Sequence, residues 1–135
     1  MTTTNTRPAP TVWGTLQAQD APGLIDFLVN KVGFIKTAAY SDGGLIAHAQ
    51  LDWPEGGGIM LGSYKPGHDW SRKPGTAGMY VVTDDPDALH QRLRAHGVEM
   101  IRDIADQEYG NREFTIRDPE GNLWSFGYYR GEPRP

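Results

Sequence analysis

The chain has 135 residues, 38% hydrophobic and 22% charged, with four Trp, six Tyr, four Phe, no cysteine and a formal net charge of −4. That length fits one ordinary domain with its own core, and the apolar content excludes wholesale disorder in spite of 17 glycines and 10 prolines. The missing cysteines exclude a disulfide framework, a thiolate zinc site and a cysteine nucleophile; the acidic balance argues against a nucleic-acid partner and is mildly compatible with a cationic ligand.

Residues 1–10, MTTTNTRPAP, read as a disordered tail. They lack the basic start and apolar stretch of a secretory signal, so the cytoplasm is the expected location. No apolar run approaches the ~20 residues of a membrane span. A short strand then leads to Asp20, whose carboxylate suits a helix N-cap. Leu24, Phe27, Leu28 and Val32 share one helical face, and Gly33 is a natural left-handed stop. Strand-like runs follow at 34–40, 45–51 and 58–64, broken by Asp42-Gly43-Gly44 and Pro54-Glu55-Gly56. Residues 65–77, rich in Gly, Pro and Lys, form a connector. A second strand leads to a helix capped by Asp84 or Asp85, with Pro86 at its first position, Leu89 and Leu93 on its apolar face and Gly97 as its stop. Runs at 98–104, 112–117 and 122–129 complete the pattern around Tyr109-Gly110 and Asp118-Pro119-Glu120-Gly121, and residues 131–135 are a second tail.

The chain therefore contains one unit twice. Asp20 to Gly33 and Asp84 to Gly97 have the same spacing, and PEGGGIMLGSY from Pro54 lines up with PEGNLWSFGYY from Pro119 at an offset of 65. Each copy reads β-α-β-β-β, which predicts an α+β fold of two tandem modules. Module one spans 11–64, the connector 65–77 and module two 78–129, within a single domain of 11–130.

Residues 11–129 resemble the vicinal oxygen chelate superfamily, which includes glyoxalase I, extradiol dioxygenases and bleomycin-resistance proteins. The resemblance rests on the paired βαβββ modules, on DAPGLIDFLVNKVGF at the first helix, and on YGNREFTIRDPEGNLWSF near the end, with its Asp-Pro-x-Gly turn. It implies a curved, open, barrel-like sheet with helices on the convex side, concave faces that enclose a ligand, and a homodimer.

The metalloenzymes of that superfamily place His, Glu or Gln at four strand positions, which the resemblance maps onto Trp13, Met60, Gly78 and Ser125. An indole, a thioether, a bare backbone and one hydroxyl do not replace the imidazole or carboxylate donors a divalent ion needs. No metal or other cofactor is expected. His90 and His96 lie on different faces of one helix, and the Asp84, Asp85 and Asp87 group is explained by helix N-terminal charge. The Gly56-Gly57-Gly58 run lacks the Gly-Lys-Ser/Thr of a phosphate loop and enters a strand.

Strand alternation from those positions puts Trp13, Thr15 and Gln17, then Gly78, Tyr80 and Val82, then Leu123, Ser125 and Gly127 on the concave face. It sends Ile59, Leu61, Trp124 and Phe126 under the helices. In the third strand Ala47, Ala49 and Leu51 suit the helix side, leaving Ile46, His48 and Gln50 for the cavity. The expected ligand-binding set is Trp13, Thr15, His48, Met60, Tyr80, Arg112 and Ser125. Each has a plainer reading. Trp13 is either a stacking platform or a filler of the space a metal would occupy. His48, the candidate acid or base, is otherwise a satisfied core or rim residue. Arg112 clamps an anion or pairs with Glu113 or a neighbouring Asp. Tyr109 and Trp70 gate a mouth or cover an edge.

These features point to a metal-independent binding protein for a small organic molecule, aromatic or cationic, similar to the bleomycin-resistance branch and not an enzyme. The alternative is an enzyme of the same fold, a lyase, isomerase or dioxygenase-like protein, using acid–base chemistry or a non-standard metal site. A third reading is a collapsed cavity kept as a dimerisation module.

Overall fold

The computed structural model describes residues 8–135. Of the tail expected over residues 1–10, residues 1–7 lie outside the described residues. Module one contains β1 (Gly14–Ala18), α1 (Ala21–Asp26), β2 (Ile35–Asp42), β3 (Leu45–Asp52) and β4 (Gly58–Ser63). Module two contains β5 (Gly78–Val82), α2 (Pro86–Ala95), β6 (Met100–Gln107), β7 (Asn111–Arg117) and β8 (Leu123–Gly127). The sheets run β1-β4-β3-β2 and β5-β8-β7-β6, and the first strand of each pairs in parallel with its last. This is the tandem βαβββ arrangement that the repeat predicts. Among the described residues no helix is long and apolar enough to cross a membrane.

The helix starts follow from local chemistry. Asp20 accepts the Gly23 amide at 3.1 Å and Asp85 accepts the Ala88 amide at 3.1 Å, each satisfying a backbone donor of the first turn. The second cap is therefore Asp85, which keeps the 65-residue offset. After Asp26 the first helix widens into π-helical turns over Phe27–Val32, closed by the Gly33 amide on the Leu28 carbonyl at 2.9 Å. Phe27, Leu28 and Val32 are all buried there. Gly33 and Gly97 end the two helical segments at φ values of 112° and 72°.

One face of each sheet turns toward the helices and fills the core. Ile59, Leu61, Trp124 and Phe126 sit there, as the alternation predicts. Trp124, Phe114 and Phe126 are wholly buried, and burial of each large aromatic contributes about 1.5–3 kcal/mol. Phe34 packs against Trp53 at 4.9 Å and Trp124 at 5.6 Å, so the cores of the two modules meet through aromatic rings.

One strand departs from simple alternation. Ile46 pairs with Ser41 and His48 with Tyr40, which leaves Ala47 bulged out of the β2–β3 ladder. Ile46 consequently turns into the core, while Ala47 joins His48 on the open face. The expectation that Ile46 faces the cavity and Ala47 the helices is reversed by that extra residue.

Both tails touch the fold. The Pro10 carbonyl accepts the Trp13 indole N–H at 3.0 Å, and Glu132 accepts the Tyr129 hydroxyl at 2.9 Å.

Candidate functional site

The open face of module one holds a cavity of about 340 Å³. Its floor is strand-borne: Thr15 and Gln17 on β1, His48 on β3 and Met60 on β4. Thr15 and Gln50 are both Cα partners of Met60, so these side chains stand side by side across the sheet. The rim comes from the connector, through Lys65, Trp70 and Arg72. The Arg72 amide donates to Gln17 Oε1 at 3.0 Å, which fastens the connector to β1.

The equivalent face of module two carries Tyr80 and Ser125, again Cα partners. Thr115, at the position of Gln50, shares a 2.7 Å hydrogen bond with Ser125. The buried Asn111 organises the aromatic residues around them. Its Nδ2 donates to the Tyr80 and Tyr109 hydroxyls at 3.2 and 3.0 Å, and its Oδ1 accepts the Arg112 and Tyr129 amides at 2.9 Å each. The Tyr80 hydroxyl donates to the Tyr129 carbonyl at 2.7 Å. Partial burial, foremost, raises the Tyr80 pKa above that of an ordinary phenol, so the group stays protonated at neutral pH.

Three of the expected ligand residues, Thr15, His48 and Met60, line one cavity, and Tyr80 and Ser125 occupy the matching face of the other module. Trp13 lies elsewhere. With its N–H held by Pro10, its ring lies over Gly58, where an added Cβ would come within 2.8 Å of the indole. A side chain at Gly58 is excluded by the Leu51 carbonyl of the neighbouring strand as well as by that ring. Arg112 is held by two carboxylates and is not among the residues that line the cavity. Its Nε and Nη2 grip Asp87 at 3.0 Å each, and its Nη1 reaches Asp106, the cross-strand neighbour, at 3.2 Å. These hydrogen bonds raise the Arg112 pKa still further and hold the Asp87 carboxyl below the ordinary range.

Lys65 and Arg72, in the 65–77 connector, are absent from the expected ligand-binding set, and of that segment only Trp70 is anticipated near a mouth. A Trp and several basic residues directly after a concave-face strand were the available signal. The local charge is opposite to that of the whole chain. The lining includes Lys65, Arg72 and His48 and no carboxylate, although the whole chain is acidic.

A divalent metal does not fit this donor set. Among the described residues no three His, Asp or Glu side chains gather at ion-binding distance, and no buried side-chain nitrogen or oxygen lacks a hydrogen bond. His48 stacks on Tyr40 at 6.2 Å, with no carboxylate partner among the described residues to orient it. His90, by contrast, is bonded to Asp103 at 2.7 Å. A second cavity, of about 310 Å³, lies at the seam over Phe34, Trp53 and Trp124. The charged groups at its edge, Glu55 and Arg130, pair with each other at 3.5 Å.

The glyoxalase/bleomycin resistance protein/dioxygenase superfamily model matches residues 11–126. A curated relative, the anthracycline biosynthesis protein DnrV of Streptomyces peucetius, is 28% identical over 92% of this chain. The chain spans 50% of that relative's length. TioX from Micromonospora sp. ML1 superposes with a TM-score of 0.75 at 28% identity, covering 88% of this chain and 98% of that one. TnmS3, an antibiotic binding protein from Streptomyces sp. CB03234, has a TM-score of 0.70 at 22% identity, covering 89% and 97%. At that identity the likeness concerns the fold. With the modules, the closing turn and the family match in agreement, the chain belongs to the glyoxalase/bleomycin resistance protein/dioxygenase superfamily.

Proposed function

We propose that the chain is a metal-independent binding protein that sequesters a small organic molecule on its concave face as a homodimer. The observation that carries this reading is the module-one cavity. Its volume falls at the lower end of small-molecule sites, and its lining combines Met60 and Trp70 with a few polar groups. A second copy laid over the open side would complete it. The exposed rings of Tyr40 and Trp70 favour such a cover, at 61% and 56% exposure. Among the described residues His48 has no carboxylate partner to fix its tautomer and ring orientation, which favours binding over turnover. TnmS3 illustrates that this fold serves antibiotic binding in another chain.

Native mass spectrometry of the purified protein tests the proposal. A dimer free of stoichiometric metal, able to take up an organic ligand, is the expected result. One divalent ion per chain overturns it.

A further inference from the structure

We propose that the module-one cavity selects planar aromatic molecules that carry an anionic group, such as an aromatic carboxylate. The inference rests on the ligand-binding reading above and adds the charge of the ligand to it.

Two cationic side chains, Lys65 and Arg72, line the cavity with His48, and no Asp or Glu does. Three arginines elsewhere in the fold are paired with acids. Arg112 holds Asp87 and Asp106, Arg117 holds Glu99, and Arg130 holds Glu55 and Asp84. Among the described residues neither Lys65 nor Arg72 has a carboxylate within ion-pair distance. What sets these two apart is that the pinned connector places both beside one cavity.

The pinning is specific. The Arg72 amide is held by Gln17, and its Nη1 donates to the Ser71 carbonyl at 2.8 Å, so one edge of the guanidinium is engaged. Its remaining donors are available for a carboxylate, which a planar guanidinium grips by two parallel bonds. The Ser71 hydroxyl donates to the Lys65 carbonyl and accepts the His68 amide at 3.2 Å, closing the base of the loop beside the cavity. His68 stacks on Trp70 at 4.7 Å with 10° between the planes, covering one face of the indole. Trp70 is nonetheless exposed and lines the cavity, so indole surface remains for a flat ring. An aromatic platform beside two unpaired cations matches an aromatic anion and repels a cationic one.

Isothermal titration of the full chain with 2-naphthoate, naphthalene-2-carboxamide and 2-naphthylmethylammonium at low salt tests this. The naphthoate should bind at least tenfold tighter than the amide, and the ammonium probe weakest. The double variant Lys65→Gln/Arg72→Gln, its folding checked by thermal melting, should bring the naphthoate down to the affinity of the amide. Equal binding of the three probes, or a naphthoate preference that survives the double variant, overturns anion selection and leaves the binding reading in place. Absence of binding by all three at millimolar concentration overturns both.

Discussion

Glu55 and Glu120, 65 positions apart, make the same contact in opposite directions across the two modules. Glu120, in the β7–β8 turn, accepts the Gln19 and Asp20 amides at 2.7 and 2.9 Å, and Glu55, in the β3–β4 turn, accepts the Asp84 amide at 3.1 Å. Each carboxylate thus holds the start of the other module's helix. The repeated Pro-Glu-Gly is an inter-module clasp, and Trp53 reinforces it by donating its indole N–H to the Val82 carbonyl at 2.7 Å.

Because Glu120 meets two amides and Glu55 one, Glu120→Ala is expected to destabilise the chain by about 1–2 kcal/mol, and Glu55→Ala by less. Urea unfolding of the two variants checks the order. No effect from either would mean that the clasp adds nothing to stability, and equal effects would mean that the second amide on Glu120 adds nothing.

Asp118 should matter more. It is 3% exposed, and its Oδ1 accepts the amides of Glu120, Gly121 and Asn122, while its Oδ2 accepts Asn122 Nδ2 and the Trp124 indole at 2.9 and 2.8 Å. Removing the carboxylate leaves these donors unmatched inside the core. Asp118→Ala is expected to cost roughly 3–5 kcal/mol, seen as a large drop in the urea midpoint.

The Arg112–Asp87 pair predicts a pH dependence. Hydrogen bonds from Arg112, foremost, lower the folded Asp87 pKa below its ordinary value of 3.8. The unfolded chain therefore takes up this proton at a higher pH than the folded one. The stabilisation is complete above about pH 4 and fades as pH falls through the lowered folded value. In Arg112→Met, the Asp87 carboxyl carbon should titrate higher by NMR and the acid-side loss of melting temperature attributable to this pair should shrink. Probe binding should not weaken, because Arg112 lies off the cavity.

His48 separates binding from catalysis. As a wall residue, its replacement by alanine should cost less than tenfold in probe affinity, equivalent to less than about 1.4 kcal/mol. A general acid or base would instead take down a turnover by about 10²–10⁴-fold. Titration of His48→Ala, together with an assay for consumption of the bound molecule, distinguishes them.

The modules, helix faces and core strands were legible because they rest on local periodicity and on a repeat. Leu24, Leu28, Trp124 and Phe126 had to be buried for either module to hold together. The bulge at Ala47 was not legible, since it is set by how β2 and β3 register on each other. Nothing near Arg112 in sequence announced Asp87, 25 positions away on the second helix. Trp13 sits where the family pattern places a metal ligand, yet its ring is fixed by Pro10 and Gly58. The Gly, Pro and Lys content of 65–77 marks a connector, but its fastening to Gln17, 55 positions from Arg72, has no local signal.

A 2-naphthoate titration of isotope-labelled, metal-stripped protein, followed by backbone amide shifts, tests directly whether the module-one cavity binds without metal. A metal-independent concave site predicts saturable shifts concentrated in β1, β3, β4 and residues 65–72. Shifts that appear only after a divalent ion is restored, or that fall outside those segments, would contradict it.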